Sequence, residues 1–123
     1  MANTVAVAKE IEKFIQNELT KEYNQIFSEK KVKIGEKKDG EPAVYKFDAV
    51  SKDERIVAGV KSHSGRTKTG KFPRAKIGMT YTDIFFLSLT KAKEKLLILT
   101  SKEFYELFVK DSDGKIPGDI EIR

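Results

Sequence analysis

The stretch from Val44 to Lys61, VYKFDAVSKDERIVAGVK, constrains the fold more than any other part of the chain. Two runs rich in β-branched and aromatic residues flank Ser51-Lys52-Asp53, which predicts two strands joined by a short polar turn. Alternate side chains of a strand face opposite ways, so Asp48 is expected to share a face with Lys46. The other face of the first strand is predicted to hold Tyr45, Phe47 and Ala49. We therefore expect Asp48 and Lys61 to meet on one side of a hairpin whose other side is core.

The periodicity elsewhere surrounds this hairpin with helices and further strands. Apolar residues at three- and four-residue steps predict a helix over about 4–27. Weak alternation predicts a strand over 31–36, and the Asp39-Gly40 turn leads it into the strand over 43–50. The third strand is predicted over 54–62, which completes an antiparallel meander.

The second half of the chain predicts a crossover connection. The apolar run at 84–89 favours a buried helix from about 80 to 93 with Thr80 and Asp83 as a capping box, although a strand also fits this run. LLILT at 96–100 reads as a central strand after a helical crossover, and a short helix with Phe104 and Phe108 inward follows. Ile120 and Ile122 suggest a last edge strand. The predicted fold class is α/β (α+β mixed), with a mixed central sheet flanked by helices.

Length and composition limit the classes of protein. A chain of 123 residues without a long linker indicates a single domain over 1–123, divided into an N-terminal helix (1–29), a meander (30–62), a basic segment (63–79), a helix-strand-helix unit (80–110) and an extended end (111–123). The absence of cysteine and the single His63 exclude disulfides, Cys-based zinc sites and multi-histidine metal sites within one chain. The sequence contains no run of the length of a membrane span and no signal-peptide pattern, so we expect a cytoplasmic protein.

The basic segment is the most polarised part of the sequence. The chain carries 24 Lys+Arg against 19 Asp+Glu, and no acidic residue occurs from Ile56 through Thr82. Lysine and arginine among glycine, serine and threonine supply charge and backbone donors for phosphates. The predicted nucleic-acid-binding residues are Arg66, Lys68, Lys71 and Arg74. A solvated surface loop is the alternative interpretation.

The chain resembles the PD-(D/E)XK nuclease superfamily, also called the restriction-endonuclease-like fold, in the order of its predicted elements. These are a helix, three strands, the basic segment, a helix, a buried strand and a helix. The resemblance implies an αβββαβα core in which Asp48 binds Mg²⁺ or Mn²⁺ and Lys61 positions or activates the attacking water. The sequence departs from the family where an acid is expected two residues before the lysine, because Gly59 stands there. A carboxylate from elsewhere, such as Glu18, Glu22 or Asp83, could fill this position, or the site could be inactive.

Three functions therefore remain open. The first is a nucleic-acid-binding domain, for DNA rather than RNA, that cleaves weakly or not at all. The second is an active metal-dependent nuclease with a migrated carboxylate. The third is a protein-interaction module, in which the N-terminal helix packs across a homodimer through apolar positions such as Tyr23 and Phe27.

Overall fold

The chain folds as one mixed α/β domain with a five-stranded sheet and three helices. The computed structural model describes residues 4–63, 65 and 70–123. The elements in chain order are α1 (Thr4–Tyr23), β1 (Phe27–Glu36), β2 (Pro42–Ser51), β3 (Ile56–Lys61), α2 (Arg74–Leu89), β4 (Glu94–Leu99), α3 (Lys102–Asp111) and β5 (Ile120–Ile122). This order confirms the predicted αβββαβα core, with β5 as an additional short strand.

The sheet runs in the order β1-β2-β3-β4-β5. The first three strands are antiparallel neighbours, while β4 lies parallel to β3 and β5 lies parallel to β4. The parallel pairing of β3 with β4 requires a crossover, and α2 provides it. The prediction of a central strand after a helical crossover, with a last edge strand, is confirmed.

Each face of the sheet has its own core. On one face α2 and α3 cover a cluster built around Phe104, Phe108 and Leu97, all fully buried. On the other face α1 covers a smaller cluster that contains Leu19 and Ala58. Burial of these side chains on both faces explains why β4 reads as a continuous apolar run instead of an alternating one.

Two helix boundaries differ from the prediction. α1 ends at Tyr23 because Asn24 adopts a positive φ of 56°, and Phe27 lies in β1, where its N–H donates to Thr20 Oγ1 at 3.1 Å. α2 begins at Arg74, well before Thr80, so the last third of the basic segment is helical. Thr80 lies inside this helix and its hydroxyl donates to the Lys76 carbonyl, so the predicted capping box at Thr80 is wrong.

A β-bulge in β2 changes the alternation of the central hairpin. Lys30 pairs with Phe47 and Ser28 pairs with Val50, so one more residue lies between these pairs on β2 than on β1. Phe47 and Val50 both pack toward α2 and α3, whereas Ala49 packs toward α1. The prediction that Ala49 shares a face with Phe47 is therefore wrong, because it assumed a strand of uninterrupted period two.

No helix in the described part of the chain has the length and apolar character needed to cross a membrane.

Candidate metal and nucleic-acid site

Asp48 occupies the point where β2 and β3 separate. The ladder between these strands consists of the pairs Ala49↔Ala58 and Val50↔Val57. Two residues beyond Ala58 on β3, the Val60 N–H donates to Asp48 Oδ2 at 2.8 Å. The carboxylate thus satisfies a backbone donor that the strand separation would leave unpaired.

Three carboxylates from three elements meet at Asp48. Glu12 of α1, Glu29 of β1 and Asp48 each place an oxygen so that these atoms all lie within 4.8 Å of one another. We call these three residues the acidic cluster. The bulge contributes to it, because it leaves Asp48 and Ala49 together opposite Glu29.

The acidic cluster holds two carboxylates in an unfavourable electrostatic environment. Burial raises the pKa of Asp48, and the Val60 N–H and the positive charge of Lys61 counter this rise only in part. Burial also raises the pKa of Glu12, and repulsion from Asp48 and Glu29 adds to it. The folded chain therefore favours neutralisation of these two groups, by a proton or by a cation.

Nearby lysines neutralise part of the cluster. Glu29 accepts an ion pair from Lys46 at 3.2 Å and a longer one from Lys9 at 3.7 Å. Both lysines are more than half exposed, and water screens ion pairs of this kind. Glu12 and Asp48 form no salt bridge within the described ranges. Both lysine ion pairs of the acidic cluster therefore go to Glu29.

The donor set of the acidic cluster fits a hard divalent cation. Mg²⁺ and Ca²⁺ take oxygen ligands, and two oxygens on opposite sides of these ions are about 4.2 and 5 Å apart, respectively. A separation of at most 4.8 Å between the carboxylate oxygens is compatible with such an ion after little movement. Asp48 also accepts a hydrogen bond from the Val60 N–H through Oδ2, which holds the carboxylate in place beside Glu12 and Glu29.

Lys61 has a direct partner other than Asp48. Its Nζ lies 2.6 Å from Asp83 Oδ2 of α2, and both side chains are largely buried. Tyr45 donates a longer hydrogen bond of 3.3 Å to the other oxygen of Asp83, and its ring stacks on Phe86 with centroids 4.2 Å apart. Lys61 is thereby fixed between the end of β3 and the middle of α2.

Asp48 and Lys61 consequently both lie near the end of β3, Asp48 inside β2 and Lys61 as the last residue of β3, but their side chains face opposite sides of the sheet. The charge of Lys61 still lowers the pKa of Asp48, so the two groups interact electrostatically. Asp48 groups with Glu12 of α1, whereas Lys61 pairs with Asp83 of α2. The sequence-based expectation of a single shared face is corrected here, because the bulge turns Asp48 toward α1.

Gly59 faces the larger core and not the acidic cluster. A β-carbon on Gly59 would lie 3.7 Å from Leu97 Cδ1, and Leu97 is fully buried in the cluster under α2 and α3. An acid at position 59 would therefore point into apolar packing. Glu12 and Glu29 approach Asp48 from the other face, so they do not occupy the space that a side chain at position 59 would take.

The other predicted acids lie elsewhere in the structure. Glu18 is exposed and pairs with Lys21 at 3.5 Å. Glu22 forms a two-pronged pair with the guanidinium of Arg123 at 2.7 and 2.9 Å, which lowers the pKa of Glu22. Asp83 is next to Lys61, as described above, and is not a member of the acidic cluster.

The predicted phosphate-binding residues are described only in part. Arg66 and Lys68 lie outside the described residues. Lys71 is exposed just before α2, and Arg74 is the exposed first residue of that helix. Burial lowers the pKa of His63, and the positive charges of Lys61 at the end of β3 and Lys76 in the first turn of α2 lower it further.

Glu12 and Glu29 are not among the site residues that the sequence predicts. Glu12 lies one helical turn before Gln16, whose amide donates to the Asp48 carbonyl at 2.7 Å. A polar pair at this spacing beside an apolar helix stripe is a weak signal for a helix flank that approaches polar backbone. Glu29 gives no comparable signal, because the sequence interpretation placed it before the first strand.

A scan against protein-family models, a search of curated proteins and a search of solved structures found no match to this chain. Assignment of a function therefore depends on the chain's own residues and their arrangement.

Proposed function

We propose that this chain is a nucleic-acid-binding domain of the PD-(D/E)XK type that binds DNA rather than RNA in the cytoplasm and, with Gly59 in place of the expected acid, cleaves it weakly or not at all. The observation that supports this proposal most strongly is the electrostatic interaction of Asp48, where the β2–β3 ladder stops, with Lys61, the last residue of β3, inside an αβββαβα core. The basic segment follows the end of β3 in the chain, and Lys71 and Arg74 are exposed. A negatively charged backbone bound across this end would be attracted by these side chains.

A second candidate function is metal-dependent cleavage of a phosphodiester. The observation that favours it is the acidic cluster, in which Glu12 and Glu29 bring two further carboxylates to Asp48 from the α1 face, away from Gly59. A divalent cation bound there would stabilise charge on the phosphate and lower the pKa of a bound water. Asp48 and Glu12 would hold the cation, and Lys61, oriented by Asp83, would supply positive charge close by.

Binding is tested by titrating fluorescent single-stranded and duplex oligonucleotides at several salt concentrations. We expect affinity to fall steeply with salt, by about 0.7 to 0.9 in log K per tenfold salt for each phosphate contact. R74Q should reduce this slope by the amount that corresponds to one phosphate contact, about 0.7 to 0.9. K110Q is the control and should leave the slope unchanged, because Lys110 is an exposed residue near the end of α3. Undetectable binding to both oligonucleotides at low salt would refute the proposal.

Cleavage is tested separately with Mg²⁺ and Mn²⁺ on plasmid and single-stranded substrates. D48N keeps an acceptor for the Val60 N–H, and E12Q keeps the size of the side chain, so both variants should fold. Cleavage that D48N and E12Q both abolish would establish the second candidate. E18Q is the matched control, because it removes an exposed carboxylate from the same helix. If binding is present and the wild-type chain does not cleave, the chain is a binding domain only.

A further inference from the structure

We propose that one strand of bound nucleic acid runs along the β1–β2 ribbon, over a row of lysines that begins beside the acidic cluster. The row consists of Lys46, Lys31 and Lys33, and we call it the lysine row. This proposal rests on the proposed function, since it assigns the path of the polynucleotide. It concerns a surface outside the basic segment.

Strand register places the lysine row on one face. Lys31 pairs directly with Lys46, and Lys33 pairs with Val44 on the same ribbon. Between them Val32 is buried toward α2, so the lysines project from the α1 side. Glu29 precedes Lys31 by two residues and shares its face, which puts the acidic cluster at one end of the lysine row.

The lysine row is exposed and only partly neutralised. Lys46 is 57% exposed and reaches back to Glu29 at 3.2 Å, and Lys33 is 51% exposed with a local partner in Glu36 at 3.3 Å. Lys31 forms no salt bridge to any acid in the described part of the chain. Two like charges directly opposite each other in a ladder are destabilising. Lys46 is compensated by Glu29, but Lys31 opposite it gains no ion pair, and a phosphate between the two ammonium groups would bring both into favourable contact.

The shape of this surface fits a single polynucleotide strand. Lys31 and Lys33 are two residues apart on one strand, about 6.8 Å along the ribbon. Lys31 and Lys33 follow β1, and Lys46 lies beside Lys31 on β2, next to the part of the same face that α1 covers. Two cations in line along one strand can contact successive phosphates of one sugar-phosphate backbone, and the same direction along β1 leads to Glu29 and the carboxylate of Asp48.

Neighbouring residues of β1 provide a matched experiment. The double variant K31Q/K33Q removes two charges from the α1 face. K30Q removes a charge from the adjacent position, which faces the other side and pairs with Glu54 at 3.2 Å. Both variants are titrated with a labelled single-stranded oligonucleotide and with a duplex at several salt concentrations. Thermal unfolding is recorded for each, and K31Q/K33Q should unfold at nearly the same temperature as wild type, because the Lys33–Glu36 pair that it loses is exposed.

We expect K31Q/K33Q to lower the salt slope of single-strand binding by about 1.4, which corresponds to about 25-fold weaker binding at 0.1 M salt. K30Q should bind as wild type does. The chain has no cysteine, so K31C and K30C each carry one thiol for a photo-crosslinker. Crosslinking of the oligonucleotide from position 31 but not from position 30 would support the proposed path.

Two results would overturn this proposal, and they differ in what they say about the proposed function. If the wild-type chain binds nucleic acid and K31Q/K33Q keeps its affinity and salt slope, the path along the lysine row is wrong while the function stands. If the wild-type chain binds neither oligonucleotide, the path and the function fail together.

Discussion

The ion pair between Lys61 and Asp83 gives the sharpest test of how this end of the sheet is held. The pair is short, at 2.6 Å, and the two side chains are only 21% and 11% exposed. D83N would leave the ammonium of Lys61 without its carboxylate in a place where water compensates poorly. Loss of one partner of a fully buried pair costs about 3–5 kcal/mol, so partial exposure reduces the expected cost to about 2 kcal/mol. For a domain of this size that corresponds to a melting temperature lower by about 8 °C.

A double-mutant cycle separates the ion pair from other effects of substitution. K61M combined with D83N removes both charges, so the double variant should be no less stable than D83N, with a coupling energy of about 1–2 kcal/mol. Urea and thermal unfolding followed by circular dichroism measure all four proteins. E54Q is the control, because its pair with Lys30 is about half exposed and should contribute less than about 0.5 kcal/mol. Strictly additive effects of K61M and D83N would refute the assignment of Lys61 to this pair.

Further predictions concern the acidic cluster and the position two residues before Lys61. Burial raises the pKa of Glu12 in the folded chain above its ordinary value of 4.5. The ionised carboxylate therefore lowers the free energy of unfolding at neutral pH, and this loss disappears when the pH falls below 4.5 and the group is protonated in both states. E12Q should therefore unfold at a higher temperature than wild type at pH 7, and this difference should disappear as the pH falls below about 4.5; an equal difference at both pH values would contradict the assigned cause. G59D should destabilise the chain by at least about 2 kcal/mol in urea unfolding and add no cleavage, because its carboxylate would meet Leu97 in the core. G59A is the control and should cost less than about 1 kcal/mol, since its β-carbon would make an ordinary contact.

The fold was predictable because its elements follow simple periodicities. The apolar stripe of α1, the alternation in β3 and the run in β4 each indicate a burial pattern that the structure reproduces. The boundaries depend on single residues instead. The apolar repeat continues past the end of α1 to Phe27, but the positive φ of Asn24 ends the helix, and a backbone conformation of this kind gives little signal in the sequence.

The site was predictable only in part, because tertiary pairing assembles it. The hairpin pattern predicts that Asp48 and Lys61 end their strands, which is confirmed for Lys61 and wrong for Asp48, because β2 continues to Ser51. The charge of Lys61 nevertheless lowers the pKa of Asp48, so the two groups interact. Glu29 reaches Asp48 through the antiparallel register of β1 and β2, which no local pattern specifies. Lys61 finds Asp83 through the crossover helix, whose start was predicted too late in the chain. Whether any of these groups acts on a phosphodiester stays a prediction.

The bulge in β2 also affects how this chain should be compared with others. The bulge adds one residue between Asp48 and Lys61. An uninterrupted ladder would bring an aspartate to the same point with one residue fewer between it and the lysine. A related chain with a straight strand would place an equivalent acid with a spacing one residue shorter. An alignment that demands a constant interval between the acid and the lysine would therefore miss such a relative, and one that tolerates a single gap inside β2 would recover it.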